Sequence, residues 1–163
     1  VAILNSQIRI NSPNPQPDQA LIALALQHGG PLFPIELHVP DALARVLAST
    51  GKPVPAPIVG MAIIDTGASV SCVDEQSMIG LGVFPIGVQS VGGVAGINQH
   101  PVFPARLAFP QGAANFAFDQ LVGVDLQSQS RSGLRILALI GRDILSRCVL
   151  VYNGAAGIVT LGF

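Results

Sequence analysis

The segment from Ile58 to Ala68 constrains this chain more than any other. An apolar run, Ile58 to Ile64, ends abruptly on one carboxylate, Asp65, and Thr66, Gly67 and Ala68 follow. The run has the outline of a buried strand. An unpaired carboxylate beside Ile63 and Ile64 is costly, so Asp65 needs a partner or a purpose. Whatever fold the chain adopts must bring a core strand to its end at a place where that carboxylate is served.

The rest of the composition narrows the options. A chain of 163 residues suits one domain, residues 1–163, with enough material for a real core. Only 10% of the residues are charged, where about a quarter is usual. That shortage suggests surface buried against something, such as a second copy. Eighteen Gly and thirteen Pro argue for many turns and little long helix. Lys52 is the one lysine and the arginines are scattered, so no basic track for nucleic acid is visible. No apolar run approaches the roughly 18 residues of a membrane helix. The longest, Ala20 to Leu26, suits a strand. No signal-peptide pattern is present, and the start at Val1 suits a processed or trimmed piece, so the compartment stays open. Cys72 and Cys148 sit far apart in apolar contexts and read as free core thiols. His28, His38 and His100 share no ligand spacing, so no metal site is expected.

Along the chain, Val1 to Ile10 reads as a strand and Asn11 to Asp18 as a loop. Gln19 to Gln27 is strand-like but rich in Ala and Leu, so its pattern also admits a helix. Leu32 to Val39 alternates and reads as a return strand. Asp41 to Gly51 changes to a helical period, with Asp41 a candidate cap and Leu43, Val46 and Leu47 on one stripe. Ser69 to Val73 reads as a strand, with Asp74 capping a short helical turn that ends near Gly80. Ile86 to Leu107 reads as a long hairpin with a glycine-rich middle, Val91 to Gly96. Phe116 to Val124 and Leu134 to Ile140 are further strands. Arg142 to Leu150 suits a short helix with Asp143 and Arg147 as an i,i+4 pair, and Gly157 to Phe163 a closing strand. The sum is mainly β, a small closed or barrel-like domain with two or three short helices.

Two strings now fall together: Ile63-Ile64-Asp65-Thr66-Gly67-Ala68 and Leu139-Ile140-Gly141-Arg142-Asp143-Ile144-Leu145. With a glycine-rich hairpin between them, this order resembles the retropepsin-like aspartic proteases, the family of retroviral proteases and their cellular and bacterial relatives. The resemblance runs from about Pro31 to the end. Residues 1–30, read as amino-terminal strands, match only loosely, and the helix at 41–51 looks like an insertion. What the resemblance implies is an acid protease fold: a closed β-barrel with one or two short helices, acting as a dimer and needing no cofactor. It implies Asp65 as the catalytic residue and Thr66 and Gly67 as supports of its loop, Thr66 by hydrogen bonding across the dimer. Ala68, Ser69, Gly92, Gly93, Val94 and Ile140 would meet substrate, with residues 86–107 as a flap and Gly92 and Gly93 near its tip. Gly141, Arg142 and Asp143 would be structural, Arg142 tying the helix to the loop. The ending Val159 to Phe163 looks like the strand with which such proteases close their dimer.

The chemistry explains the residue types. Hydrolysis of an amide by water needs a base for the water and an acid for the leaving nitrogen. Two close carboxylates sharing one proton supply both, because two like charges so near cannot both ionise. Asp-Thr-Gly occurs once in this chain, and Asp125 and Asp143 lack its setting, so the second carboxylate is expected from Asp65 of another copy, on a two-fold axis. The expected partners are therefore a second copy and a peptide or protein substrate. Two rival readings stand beside this one. In the first, the chain is a catalytically weak or inactive dimerisation or peptide-binding module, a reading left open by Ser69, which stands where many viral relatives carry an acidic residue. In the second, it is a pseudo-symmetric monomer using Asp18 or Asp41, neither of which lies in a strand-Asp-Thr/Ser-Gly context.

Overall fold

A computed structural model of the chain describes residues 2–7, 18–93, 96–110, 114–130 and 133–163. Six strands close into a barrel: β2 (Leu32–His38), β3 (Ile58–Ile64), β8 (Ile136–Ile140), β4 (Cys72–Asp74), β7 (Asn115–Val124) and β6 (Gly96–Ala108), which returns to pair with β2. Strand β5 (Gly87–Gly93) lies outside the ring and forms a hairpin with β6. The β3–β8 and β4–β7 pairings are parallel and the others antiparallel. A separate three-stranded sheet has the order β1 (Ile3–Gln7), β10 (Ile158–Gly162), β9 (Val149–Asn153). The mainly β closed barrel expected from the sequence is therefore the fold observed.

The barrel interior follows from strand alternation. Phe33, Ile35 and Leu37 of β2 are buried while Pro34 between them is exposed. They meet Ala62 and Ile64 of β3, Phe103, Ala105 and Leu107 of β6, and Leu137 and Ile140 around β8 in one core. Phe163 packs its ring against Phe109 and Phe116, with centroids 5.1 and 5.8 Å away, and joins the three-stranded sheet to the barrel. At the closing seam, Arg106 donates to His38 Nδ1 at 2.9 Å, and His38 Nε2 lies 3.0 Å from Glu36. Arg106 also reaches Asp41 at 3.3 Å and so holds the helix α2 (Asp41–Ser49) to the wall. His38 is thus absorbed in a structural clasp.

Several elements differ from expectation. Gln19–Gly29 is a helix, α1, not a strand: Asp18 accepts the Ala20 N–H at 2.9 Å, and the Ala-Leu run favours helix once capped. In α2 the cap is Pro40, and Asp41 lies in the first turn; of the expected stripe, Val46 is exposed. Strand β4 begins at Cys72, not Ser69, because the Ser71 backbone N–H is taken by a side chain rather than a neighbouring strand. Its helix α3 (Glu75–Gly80) is capped by Asp74 as expected, with the buried carboxylate also accepting the Leu126 N–H at 3.2 Å. The last helix, α4 (Arg142–Leu145), is shorter than Arg142 to Leu150, since the β-favouring Val149-Leu150-Val151-Tyr152 forms β9. Asp143 and Arg147 form no i,i+4 ion pair, as Asp143 is engaged elsewhere. Four α-helices, all short, stand among the described residues. None is long and apolar enough to cross a membrane. Val94, with most of the loop at Asn11 to Asp18, lies outside the described residues.

Candidate active site

Strand β3 delivers Asp65 to the open end of its pairing with β8. The Asp65 N–H donates to the Ile140 carbonyl at 2.9 Å, one step beyond the last paired residues, Ile64 and Ile140. The chain then turns sharply. Asp65 Oδ1 accepts the N–H groups of Gly67 at 2.9 Å and Ala68 at 3.2 Å. Two backbone donors on one oxygen fix the plane of the carboxyl group. Gly67 keeps the loop close: a Cβ there would stand 3.1 Å from that oxygen, a tight contact that would push the carboxyl aside by a few tenths of an ångström.

The loop is held from below by α4. Arg142 Nη1 donates to the carbonyls of Thr66 at 2.8 Å and Gly67 at 3.0 Å, and the Arg142 N–H donates to Ala68 at 3.0 Å. One residue therefore satisfies three successive loop carbonyls. The guanidinium holds two of them from one nitrogen, and the backbone N–H holds the third. Beside it, Asp143 accepts the Ser71 N–H at 2.9 Å and the Ser71 hydroxyl at 2.6 Å, while Ser71 Oγ accepts the Gly141 N–H at 2.9 Å. Ser71 is buried. Gly141 is the residue this crossing demands: a Cβ would lie 2.6 Å from the Val70 carbonyl carbon and 3.0 Å from the Ser71 nitrogen. The two strings read from the sequence are thus in direct contact. Ser71 is a residue the sequence reading missed; a hydroxyl beside the Asp-Thr-Gly strand, with no exposed face to occupy, was its only signal.

An apolar strip borders the loop. Leu139, Cys72, Val122 and Val102 are successive cross-strand neighbours on β8, β4, β7 and β6. Val70, Val124 and, from the β5–β6 hairpin, Val91 pack on the same cluster. The base of the hairpin thus packs on the same cluster that Cys72 joins. Burial, with Asp143 and Asp65 nearby, pushes the Cys72 thiol up to about 11. The expected pocket residue Ile140 is 0% exposed and belongs to the barrel core. Strand alternation puts the neighbouring, half-buried Leu139 on the strip instead. Ala68 is half-buried, and Thr66 and Ser69 are exposed at the loop. Gly92 and Gly93 are exposed at the far end of the hairpin, paired with Ile97 and Gly96, and open space surrounds both. Among the described residues no three His, Cys, Asp or Glu side chains gather as a metal site.

No protein-family model matches the chain, and no curated protein matches it. Among solved structures the chain is similar to the solution structure of Simian Foamy Virus (mac) protease, at 16% identity and a TM-score of 0.38, over 69% of this chain and 91% of that chain. A likeness of that size does not extend to activity or to the roles of residues.

Proposed function

We propose that the chain is an aspartic endopeptidase that works as a homodimer, with Asp65 of each copy forming the catalytic pair. The observation that carries this reading is the loop itself: a carboxylate at the end of a core strand, with its Oδ1 fixed by two amides and three loop carbonyls held by Arg142. So much fixing serves a group that must keep one orientation through a reaction. In this reading the exposed Thr66 of each loop bonds to its counterpart across the two-fold axis.

In the reaction, one Asp65 is ionised and the other protonated. The ionised carboxylate takes a proton from water as its oxygen attacks the peptide carbonyl, and the protonated one gives its proton to the carbonyl oxygen. The resulting diol collapses, the C–N bond breaks, and the nitrogen leaves with a proton returned through the pair. The β5–β6 hairpin closes over an extended peptide and excludes water, and the half-buried Leu139, Val70 and Val124 near the loop favour apolar side chains beside the cut.

Cleavage of a diverse peptide mixture from acid to neutral pH, read by mass spectrometry beside Asp65→Asn, tests this. Cuts made by wild type and absent from Asp65→Asn are expected. A folded, dimeric wild type that cuts nothing at any pH would instead favour a peptide-binding module, the reading that Ser69 leaves open.

A further inference from the structure

The β2–β3 ladder fixes what lies beside Asp65. Its antiparallel pairs run from Leu37 with Ile58 to Leu32 with Ile63, and the Ile64 N–H donates to the Pro31 carbonyl at 2.9 Å. Carried one step further, the same register sets Gly30 across from Asp65. There the two chains part. Gly30 takes a φ of +71°, a left-handed conformation that suits glycine, and its N–H donates to the Leu26 carbonyl at 2.9 Å, closing the helix α1. The C-terminal end of an 11-residue helix therefore stands at the rim of the Asp65 loop. Residues 1–30 resemble the retropepsin-like family only loosely, so no role for this helix follows from that resemblance.

The composition of α1 is unusual for a surface helix. The segment Gln19–Gly29 carries no Asp, Glu, Lys or Arg. Leu26 is buried in the barrel core, and Ile22 and Ala23 are half-buried on the same side. Leu21 and Leu24 lie on the opposite side, one turn apart, and are 49% and 46% exposed. A helix that rests on a core normally turns charged residues to water on its other face. Here that face is aliphatic, and its end is fixed beside the carboxylate that the proposed reaction uses. A peptide lying across Asp65 must pass the end of α1. Helix geometry sets the positions reached: at a rise of 1.5 Å per residue, Leu24 lies about 9 Å and Leu21 about 14 Å along α1 from Gly30. An extended peptide covers about 3.3 Å per residue, so these lengths match roughly three and four residues from the cut.

We infer that Leu21 and Leu24 of α1 form an outlying wall of the substrate cleft, which selects aliphatic side chains three to four residues from the scissile bond. In a two-fold site the two copies of α1 do so on both sides of the cut. This rests on the reading of Asp65 as catalytic, which sets where the peptide lies.

Two readouts test it on wild type, Leu24→Asp, Leu24→Met and Leu21→Asp. Circular dichroism checks the fold of each, and sedimentation its association. Both leucines are half-exposed, so the Asp variants should fold, and Leu21→Asp serves if Leu24→Asp does not. The first readout is the cleavage profile of a random ten-residue peptide library. Wild type and Leu24→Met are expected to favour Leu, Ile and Val three to four residues from the cut. The Asp variants should lose that preference at least fivefold and turn toward Lys and Arg, while selection at the residues flanking the cut is unchanged. The second is binding of a fluorescein-labelled decamer of alternating Leu and Ser to the same variants made on Asp65→Asn, read by anisotropy. There each Asp variant should raise the dissociation constant at least fivefold. A folded Asp variant with the wild-type profile overturns the inference. So does one that turns monomeric where wild type is dimeric, since that places α1 in a contact between copies. If no protein cuts any peptide, weaker binding by the Asp variants keeps the α1 wall and removes the protease reading, and equal binding removes both. Cutting that depends on Asp65 with unchanged selection at the distant positions keeps the protease and removes the wall.

Discussion

At the scale of single residues, the site depends on atoms that are missing as much as on those present. Gly141 leaves room for the Val70 carbonyl to pass at a distance no Cβ tolerates. Gly141→Ala is therefore expected to destabilise the fold by about 1–3 kcal/mol, the usual cost of forcing a methyl into packed structure; denaturant unfolding measures it. Cys72 offers a pH test. Its thiol is raised from 9.0 to about 11 in the folded chain, by burial first and then by Asp143 and Asp65. Between those values the unfolded chain releases the thiol proton and the folded chain keeps it, so stability should fall as pH rises from about 9 to 11. Cys72→Val should flatten that part of the stability curve. The same burial should make Cys72 slow to alkylate at pH 8 until the chain is unfolded, a difference that mass spectrometry reads directly.

At the scale of elements, β8 makes the sharpest test, because two adjacent residues face opposite ways. Ile140 points into the barrel core and Leu139 lies on the strip beside the loop. Ile140→Ala should cost about 2–5 kcal/mol of stability. Leu139→Ala should cost less and change instead which side chains are accepted beside the cut, seen as a shift in the cleavage profile of a peptide library. Sequence pattern found both residues but could not assign their faces, since a strand apolar on both sides shows no alternation. Elsewhere the pattern served well where it was periodic, as in β2, the β5–β6 hairpin and the Asp74-capped helix. It failed where composition and period disagreed. The Ala-Leu run of α1 reads as either helix or strand, and the choice fell to a cap at Asp18. After α4, Val149 to Tyr152 looked like helix because of charges placed for a dipole, yet β-branched residues and an available partner in β10 decided for strand. The contact of Arg142 with the Asp65 loop was legible through its motif, whereas Ser71 became visible only once Asp143 was seen to bind it.

At the scale of the whole molecule, the proposed dimer would account for both the low charge content and the single Asp-Thr-Gly loop. If the reacting unit is that dimer, cleavage rate per chain should rise with protein concentration and level off once dimer predominates. A plot of specific activity against concentration would show it, and a flat line from the most dilute sample upward would argue for an active monomer. The terminal sheet adds a constraint of another kind. Its central strand is β10 and one flank is β1, with the Phe163 N–H donating to the Ala2 carbonyl at 2.9 Å. One of these strands is made near the start of translation of this segment and the other at its close. The barrel has nearly all its strands while β1 still waits for a neighbour. Because β1 and β10 are separated in sequence by the whole barrel, that sheet can close only after every barrel strand has been made, and the order of synthesis sets the order of assembly.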